Sequence, residues 1–297
     1  MSAPATCLIG FGEVGQTLAG DLHARGVTVR AWDILFPDPQ SVPSRALSAG
    51  DVGAARSPAD AIAGAQLVIC AVTASDCLAA ARTAAPLLAD GAYFLDLNSV
   101  SPATKLAASQ LIAAGRGRYV EAAVMSPINP QGSKSPILLG GPYANEFLPL
   151  ARSLGFAATE VSSDTIGRAS ATKMCRSVMI KGIEALLTES LLAARHYGVE
   201  ATVLESLKGL LPATDWRTLS HYMIGRSLQH GRRRAAEMRE VAITVREAGI
   251  DPWMSTASAE RQEWAAAHSA ARTRETLEGT LDAILASLPR DAGARPC

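Results

Sequence analysis

The sequence predicts an α/β domain, a doubly wound parallel sheet, followed by an all-α domain joined to it by a long helix. Two observations predict this. Over residues 1–162, short apolar runs alternate with helical stretches, the pattern of a parallel sheet covered on both faces. From Thr165 to Tyr197 there is no proline and, beyond the first turn, Gly182 is the only glycine. One long helix is expected there, and the segments after it are helix-like too. The expected domains are 1–162 and 163–297.

In chain order, Thr6 to Gly10 reads as a strand, Glu13 to Arg25 as a helix and Val27 to Asp33 as a second strand. Gly50 to Ala54 is a short loop or strand, and Pro58 to Gly64 a short helix. Ala65 to Thr73 is a continuous apolar run, as in a strand buried on both faces. Ser75 to Ala89 is helical, Ala92 to Leu97 a strand, Ser101 to Ala114 a helix and Tyr119 to Met125 a strand. Ile137 to Gly140 and Ala157 to Val161 complete the sheet. On the long helix, Ser163 or Asp164 is placed to cap the start and Gly198 to end it. Glu200 to Leu210, Trp216 to Ile224, His230 to Ala248, Pro252 to Ala267 and Thr273 to Leu288 are the later helices. The tail from Arg290 to Cys297 is expected to fray.

Composition narrows the function classes. A 48% hydrophobic chain has ample material for a buried core. Lys plus Arg and Asp plus Glu are 28 each, which gives no electrostatic footprint for nucleic acid or an acidic membrane. The five cysteines form no CxxC pair, and the five histidines show no metal-ligand spacing. Reduced, mostly buried thiols are expected, with no metal. No basic segment leads into a long apolar stretch at the N-terminus. No run reaches the roughly 18 apolar residues of a membrane span. The expected location is cytoplasmic, with a small-molecule substrate.

Ile9-Gly10-Phe11-Gly12-Glu13-Val14-Gly15 fits GxGxxG between a strand and a helix, the context a dinucleotide site requires. Gly10 allows the tight turn, Gly12 lets a pyrophosphate approach, and Gly15 lets the helix pack on the strand. The amides of Phe11 to Gly15 would then face the phosphates. Asp33 ends the second strand, 18 residues after Gly15, where a carboxylate accepts from the adenosine ribose hydroxyls and repels a 2′-phosphate. The domain therefore reads as a Rossmann domain binding NAD, with NADP the alternative. The other reading of Asp33 is a turn or capping aspartate.

On these residues the chain resembles the β-hydroxyacid dehydrogenase superfamily, which includes 6-phosphogluconate and 3-hydroxyisobutyrate dehydrogenases. Two further stretches carry the resemblance. Gly167-Arg168-Ala169-Ser170-Ala171-Thr172-Lys173 looks like the family's GxxGxxxK segment, with Ser170 for its middle glycine. Glu237-Met238-Arg239-Glu240-Val241 sits where the family has Lys-Asp-Leu. The stretches at 173–186, 230–241 and 251–255 look most like a subgroup labelled 6-phosphogluconate-dehydrogenase-like. The resemblance implies a Rossmann domain, a long interdomain helix, a helical second domain and dimers or tetramers joined through the helical domains; a homodimer is expected. Two departures stand out. The family's DAPVSGG loop is Glu121-Ala122-Ala123-Val124-Met125-Ser126-Pro127 here, and Pro127 has no amide proton to offer a carboxylate. The Asn one turn beyond the family's Lys is absent, and Arg176 and Ser177 occupy that turn.

Alcohol oxidation needs a base for the hydroxyl proton and a nicotinamide for the hydride. Lys173 is the candidate base. On a helix, Ser177 and Glu184 fall within roughly 40° of it, and Arg176 about 60° to the other side. Arg176 is suited to clamp a substrate carboxylate. Lys181 and Glu184 extend the polar stripe; the plainer reading is a solvent-facing stripe. Asn98 and Ser99, with Val72 and Thr73, lie at the carboxyl ends of strands, where ligands bind. They are candidate contacts for cofactor (Val72, Thr73, Asn98) and substrate (Ser99), against a helix cap by Ser99 or Ser101. Met125 and Ser126 are the loop's substrate candidates. Arg239 is a cofactor candidate, against a surface ion pair. Arg233, within Arg232-Arg233-Arg234, is a substrate candidate, against a solvated helix face.

The leading function is hydride transfer between NAD and a 3-hydroxy acid or related β-hydroxy compound, with Lys173 as general acid/base. The alternatives are an imine or ketone reductase without a carboxylate anchor, and a dinucleotide-binding sensor without catalysis.

Overall fold

The computed structural model describes residues 3–48, 52–209 and 214–288. The chain divides into two compact units, residues 1–175 and 176–297.

The first unit holds an eight-stranded sheet. In chain order its elements are β1 (Thr6–Ile9), α1 (Glu13–His23), β2 (Val29–Trp32), α2 (Val42–Ser48), β3 (Gly53–Ala54), α3 (Pro58–Ile62), β4 (Leu67–Cys70) and α4 (Cys77–Ala84). There follow β5 (Tyr93–Asp96), α5 (Pro102–Ala114), β6 (Arg118–Val124), β7 (Ile137–Gly140), α6 (Ala144–Ser153), β8 (Thr159–Ser163) and the first turns of α7 (Arg168–His196). The strand order is β3-β2-β1-β4-β5-β6-β7-β8. All neighbours are parallel except β6 and β7, which run antiparallel. The loop between β6 and β7 contains no α-helix and returns the chain without a crossover. Strand order reverses between β1 and β4, which opens a crevice at their carboxyl ends.

Alternation along the strands explains why both faces are covered. Leu8, Leu67, Ile69, Leu95 and Val120 point into one core with Leu18, Leu22 and Phe147 of α1 and α6. Cys7, Ile9, Val68, Cys70 and Phe94 point into the other with Ile62, Ala81 and Ile112 of α3, α4 and α5. Each fully buried Leu or Ile contributes roughly 1.5–3 kcal/mol of transfer free energy. The helices start where their caps dictate. Ser57 accepts from the Asp60 amide before Pro58, and Ser101 from the Thr104 amide before Pro102.

Two expectations about helix ends meet different fates. Gly198, at φ +67°, follows the end of α7, and its amide bonds the Arg195 carbonyl, as a C-terminal glycine does. Ser163 and Asp164 do not cap the start. The Ser163 hydroxyl accepts from the Thr165 amide, and α7 begins at Arg168. The Glu121 carboxylate takes the amides of Gly167 and Ser170 instead.

The second unit contains the rest of α7 with α8 (Glu200–Leu207), α9 (Trp216–Glu247), α10 (Trp253–Ala267) and α11 (Leu277–Ala286). Leu187, Leu191, Ile224, Leu228, Leu281 and Ile284 form its core. The sequence predicts two helices between Trp216 and Ala248; the structure has one of 32 residues. An interior glycine costs about 1 kcal/mol, and the burial of Ile224, Leu228, Ala235 and Met238 offsets it. Gly231 also has a packing reason. A Cβ there would lie 2.4 Å from the Gln262 carbonyl oxygen, so its absence lets α9 and α10 approach. The polar stripe beyond Ser177 does not face solvent. Glu184 is 1% exposed and takes both a bidentate Arg234 and the Gln262 amide, while Lys181 pairs with Glu237 at 2.7 Å. The tail from Arg290, and the expected end of α8 at Leu210, lie outside the described residues.

Candidate active site

The glycine turn lies at the carboxyl end of β1. Gly10 has φ +93°, and a Cβ there would sit 2.4 Å from the carbonyl oxygen of Ala71, the residue just after β4. A Cβ on Gly15 would fall 2.1 Å from the Gly10 oxygen, so only glycine lets α1 start this close to the turn. Gly12 differs: nothing lies within 4 Å of its Cβ position. It opens on free space at the mouth of α1, whose N-cap it is, with no side chain capping the helix. That space, the bare amides behind it and the helix dipole fit a pyrophosphate. Phe11 presents neither side chain nor amide to that space, against the expectation that its amide faces the phosphates: its ring is buried edge-on against Phe36 and its amide is bonded to Asp33. Val14 is half-buried against the core, and Glu13 is exposed and accepts from the Asn129 amide.

Asp33 follows β2 and braces this turn. Its Oδ2 accepts from the Phe11 amide at 2.7 Å and its Oδ1 from the Leu35 amide at 2.9 Å. A carboxylate has about four lone-pair sites, so the ribose hydroxyls still have acceptors to bond.

Beneath the carboxyl ends of β4 and β5 lies a buried polar cluster that the sequence reading missed. The Lys105 ammonium is 3.0 Å from Asp96 Oδ1 and donates to the Asp96 carbonyl at 2.8 Å, both side chains being 1% exposed. Tyr119 donates its hydroxyl to Asp96 Oδ2 at 2.7 Å, and the Asn98 amide donates to Oδ1 at 2.9 Å. Asn98 in turn accepts from the Val72 amide at 2.8 Å and donates toward the Cys70 and Cys77 sulfurs. Burial, then Asp96, pushes the Tyr119 hydroxyl well above its ordinary range. The same two causes raise the Cys70 thiol to about 12 and raise Cys77 as well. The Tyr119 hydroxyl and the two thiols therefore stay protonated near neutral pH, and the hydrogen bonds of the cluster tie the ends of β4 and β5 together. The one signal in the sequence was Asp96 inside an apolar strand. Thr73 is exposed, and its hydroxyl bonds Ser75 and Asp76.

Ser99 leaves this cluster half-buried, and Lys173 donates to its Oγ at 2.6 Å. Ser101 is the residue that caps α5, which frees Ser99 from that role. Lys173 and Ser99, 74 residues apart in sequence, are expected site residues that the fold joins side chain to side chain. In the loop after β6, the Met125 amide bonds the Pro136 carbonyl at 2.9 Å, and the Ser126 hydroxyl bonds the Pro127 carbonyl at 3.2 Å. Both residues are half-buried.

In the second unit, Arg176 is exposed. Ser177 is 6% exposed and accepts from Lys181 at 3.4 Å. Arg233 stands 3.6 Å from Glu237, and Arg239 forms a surface ion pair with Glu263 on α10 at 3.2 Å, as the plainer reading of Arg239 expects. Among the described residues no helix is long and apolar enough to cross a membrane. No group of three side chains there is arranged to hold a metal.

Fold and glycine turn together define a nicotinamide-dinucleotide-dependent oxidoreductase. Residues 5–142 match the NAD binding domain of 6-phosphogluconate dehydrogenase, and residues 194–265 match a domain of unknown function, DUF1932. The chain belongs to the β-hydroxyacid dehydrogenase superfamily, whose cofactor is NAD(P). It is 38% identical to a conserved hypothetical protein from Sinorhizobium meliloti 1021, over 97% of both chains with a TM-score of 0.72. It is 35% identical to the conserved protein MTH1747, described as structurally similar to 3-hydroxyacid dehydrogenases, over 88% of this chain and 96% of that one with a TM-score of 0.67. Mycobacterium tuberculosis 3-hydroxyisobutyrate dehydrogenase shares the fold at 15% identity, over 96% and 99% of the chains with a TM-score of 0.71. No curated protein matches the chain.

Proposed function

We propose that the protein transfers a hydride between NAD and a 3-hydroxy acid or related β-hydroxy compound, with Lys173 moving the hydroxyl proton. The observation that carries this is the 2.6 Å bond from Lys173 to Ser99. It fixes an amino group at the carboxyl end of β5, in the unit that holds the glycine turn. The bound nicotinamide supplies the hydride acceptor for oxidation and the donor for reduction. Lys173, as the amine, takes the hydroxyl proton on oxidation and, as the ammonium, returns it on reduction. Ser99 holds the amino group and offers its own hydroxyl to the reacting oxygen. Arg176, exposed one turn along α7, supplies a cation for the substrate carboxylate, and Ser177 fills the turn beside it. The carboxyl end of β6, with Met125 and Ser126, orients the acid. Arg233 and Arg239, on α9, stay candidates for substrate and cofactor in this reading, and the homodimer remains part of it.

NAD is preferred over NADP because Asp33 presents a carboxylate where a 2′-phosphate would sit. A substrate panel tests both parts. With NAD and NADP in parallel, carboxylated β-hydroxy alcohols are expected to turn over with NAD, and uncharged imines and ketones are not. Asp33→Ala is expected to lower the NAD preference by about 10–100-fold, the worth of hydrogen bonds to a charged group. A strong NADP preference in the wild type would overturn the cofactor assignment. Turnover of imines alone would move the reaction to reductive chemistry.

A further inference from the structure

The geometry points to Glu121 as the positioning residue of Lys173: its buried carboxylate anchors the first turn of α7 and so sets the ammonium on Ser99. The functional meaning of this inference rests on Lys173 being the proton-transfer residue; the anchoring itself does not.

Glu121 lies on β6 between Asp96 of β5 and Gly140 of β7, and it is 0% exposed. No ion pair to it is found among the described residues. An isolated buried carboxylate is costly, and here two strong hydrogen bonds compensate it. Oε2 accepts from the Gly167 amide at 2.7 Å and Oε1 from the Ser170 amide at 2.6 Å. Both donors lie at the N-terminus of α7, where orphan amides and the positive end of the helix dipole favour an anion. Two bonds from one rigid group to two amides fix the rotation of the helix about its axis as well as its height. Lys173 follows Ser170 by three residues, about one turn, so little slack separates the anchor from the ammonium.

The surroundings are shaped to admit this carboxylate. A Cβ on Gly140 would lie 2.6 Å from Oε2, so glycine clears the space beside it. Gly167 has φ +99°, a conformation that turns the chain into α7, and its Cβ position lies 3.1 Å from the Pro102 Cβ. Pro102 opens α5, three residues after Ser99. The acceptor of the Lys173 bond and the start of the helix that carries Lys173 are thus held to one frame. A purely structural cap would keep α7 helical without deciding where Lys173 points; two bonds and a glycine pocket decide that too.

The test is brief labelling of the intact protein with an amine-acylating reagent, read lysine by lysine by mass spectrometry. Lys208, whose side chain is 56% exposed, is the internal reference, and buried Lys105 reports an intact fold. Glu121→Gln keeps the shape but loses the charge and sets an amide N–H against a helix amide. It is expected to raise the Lys173 to Lys208 labelling ratio about tenfold, the size of one lost charge-assisted bond, with Lys105 still protected. Glu121→Asp keeps the charge but is one methylene short of bridging both amides, and should raise the ratio less. An unchanged ratio in Glu121→Gln with Lys105 protected overturns the inference. If Lys105 becomes labelled in Glu121→Gln, the same ratio in Glu121→Asp decides: raised supports the anchor, unchanged refutes it. Turnover separates this claim from the one beneath it. A raised ratio with unchanged kcat keeps Glu121 as the anchor and removes Lys173 from proton transfer.

Discussion

Lys173→Ala is expected to lower kcat by about 10²–10⁴-fold, the usual contribution of a positioned acid or base, while NAD affinity stays within about twofold. The two effects separate because Lys173 and the glycine turn do different work. In the proposed reading the dinucleotide rests on the glycine turn and on Asp33, whose own bonds go to the Phe11 and Leu35 amides. Lys173 bonds Ser99. Removing it leaves the turn and its brace in place. Steady-state kinetics and a fluorescence titration with NADH measure the two quantities. Equal losses in both would mean that Lys173 serves cofactor binding. Unchanged turnover would remove it from the chemistry.

Lys105→Met is expected to destabilise the first unit by about 3–5 kcal/mol, the cost of stripping one partner from a buried ion pair. Asp96 would keep the Tyr119 hydroxyl and the Asn98 amide, but its charge would lose the only cation paired with it among the described residues. Tyr119→Phe should cost less, about 1–3 kcal/mol, since it removes one hydrogen bond and leaves the pair. Urea denaturation followed by the transition of the α/β unit measures both. Asp96→Asn combined with Lys105→Met should cost less than the sum of the two single changes, because the groups share one network. A loss below about 1 kcal/mol for Lys105→Met would show that the pair contributes little, as exposed pairs do.

What was legible in the sequence is what local spacing encodes. The glycine turn needs Gly10, Gly12 and Gly15 between a strand and a helix, and those seven residues announce themselves. The sheet follows from apolar runs of strand length, and α7 from an uninterrupted helical stretch. The misread elements depend on partners far along the chain. Ser163 and Asp164 look like a cap because caps are usually local, but the amides of α7 are served by Glu121, 46 and 49 residues upstream of its donors. The expected break between Ile224 and His230 holds Gly225, whose cost is local, whereas the contacts that carry α9 through it are tertiary. Lys181 and Glu184 look like a wet stripe until Glu237, Arg234 and Gln262 arrive from other helices. Lys105 looks like an ordinary charge on a helix; only the depth of Asp96 at the end of β5 makes it part of the frame under Ser99.

A crystal structure with NAD and a 3-hydroxy acid tests the central claim most directly. The account predicts the pyrophosphate on the amides after β1 and the Lys173 ammonium within about 2.6–3.2 Å of the ligand hydroxyl. An ammonium turned to bulk solvent, beyond a side chain's reach of the nicotinamide ring, would contradict it.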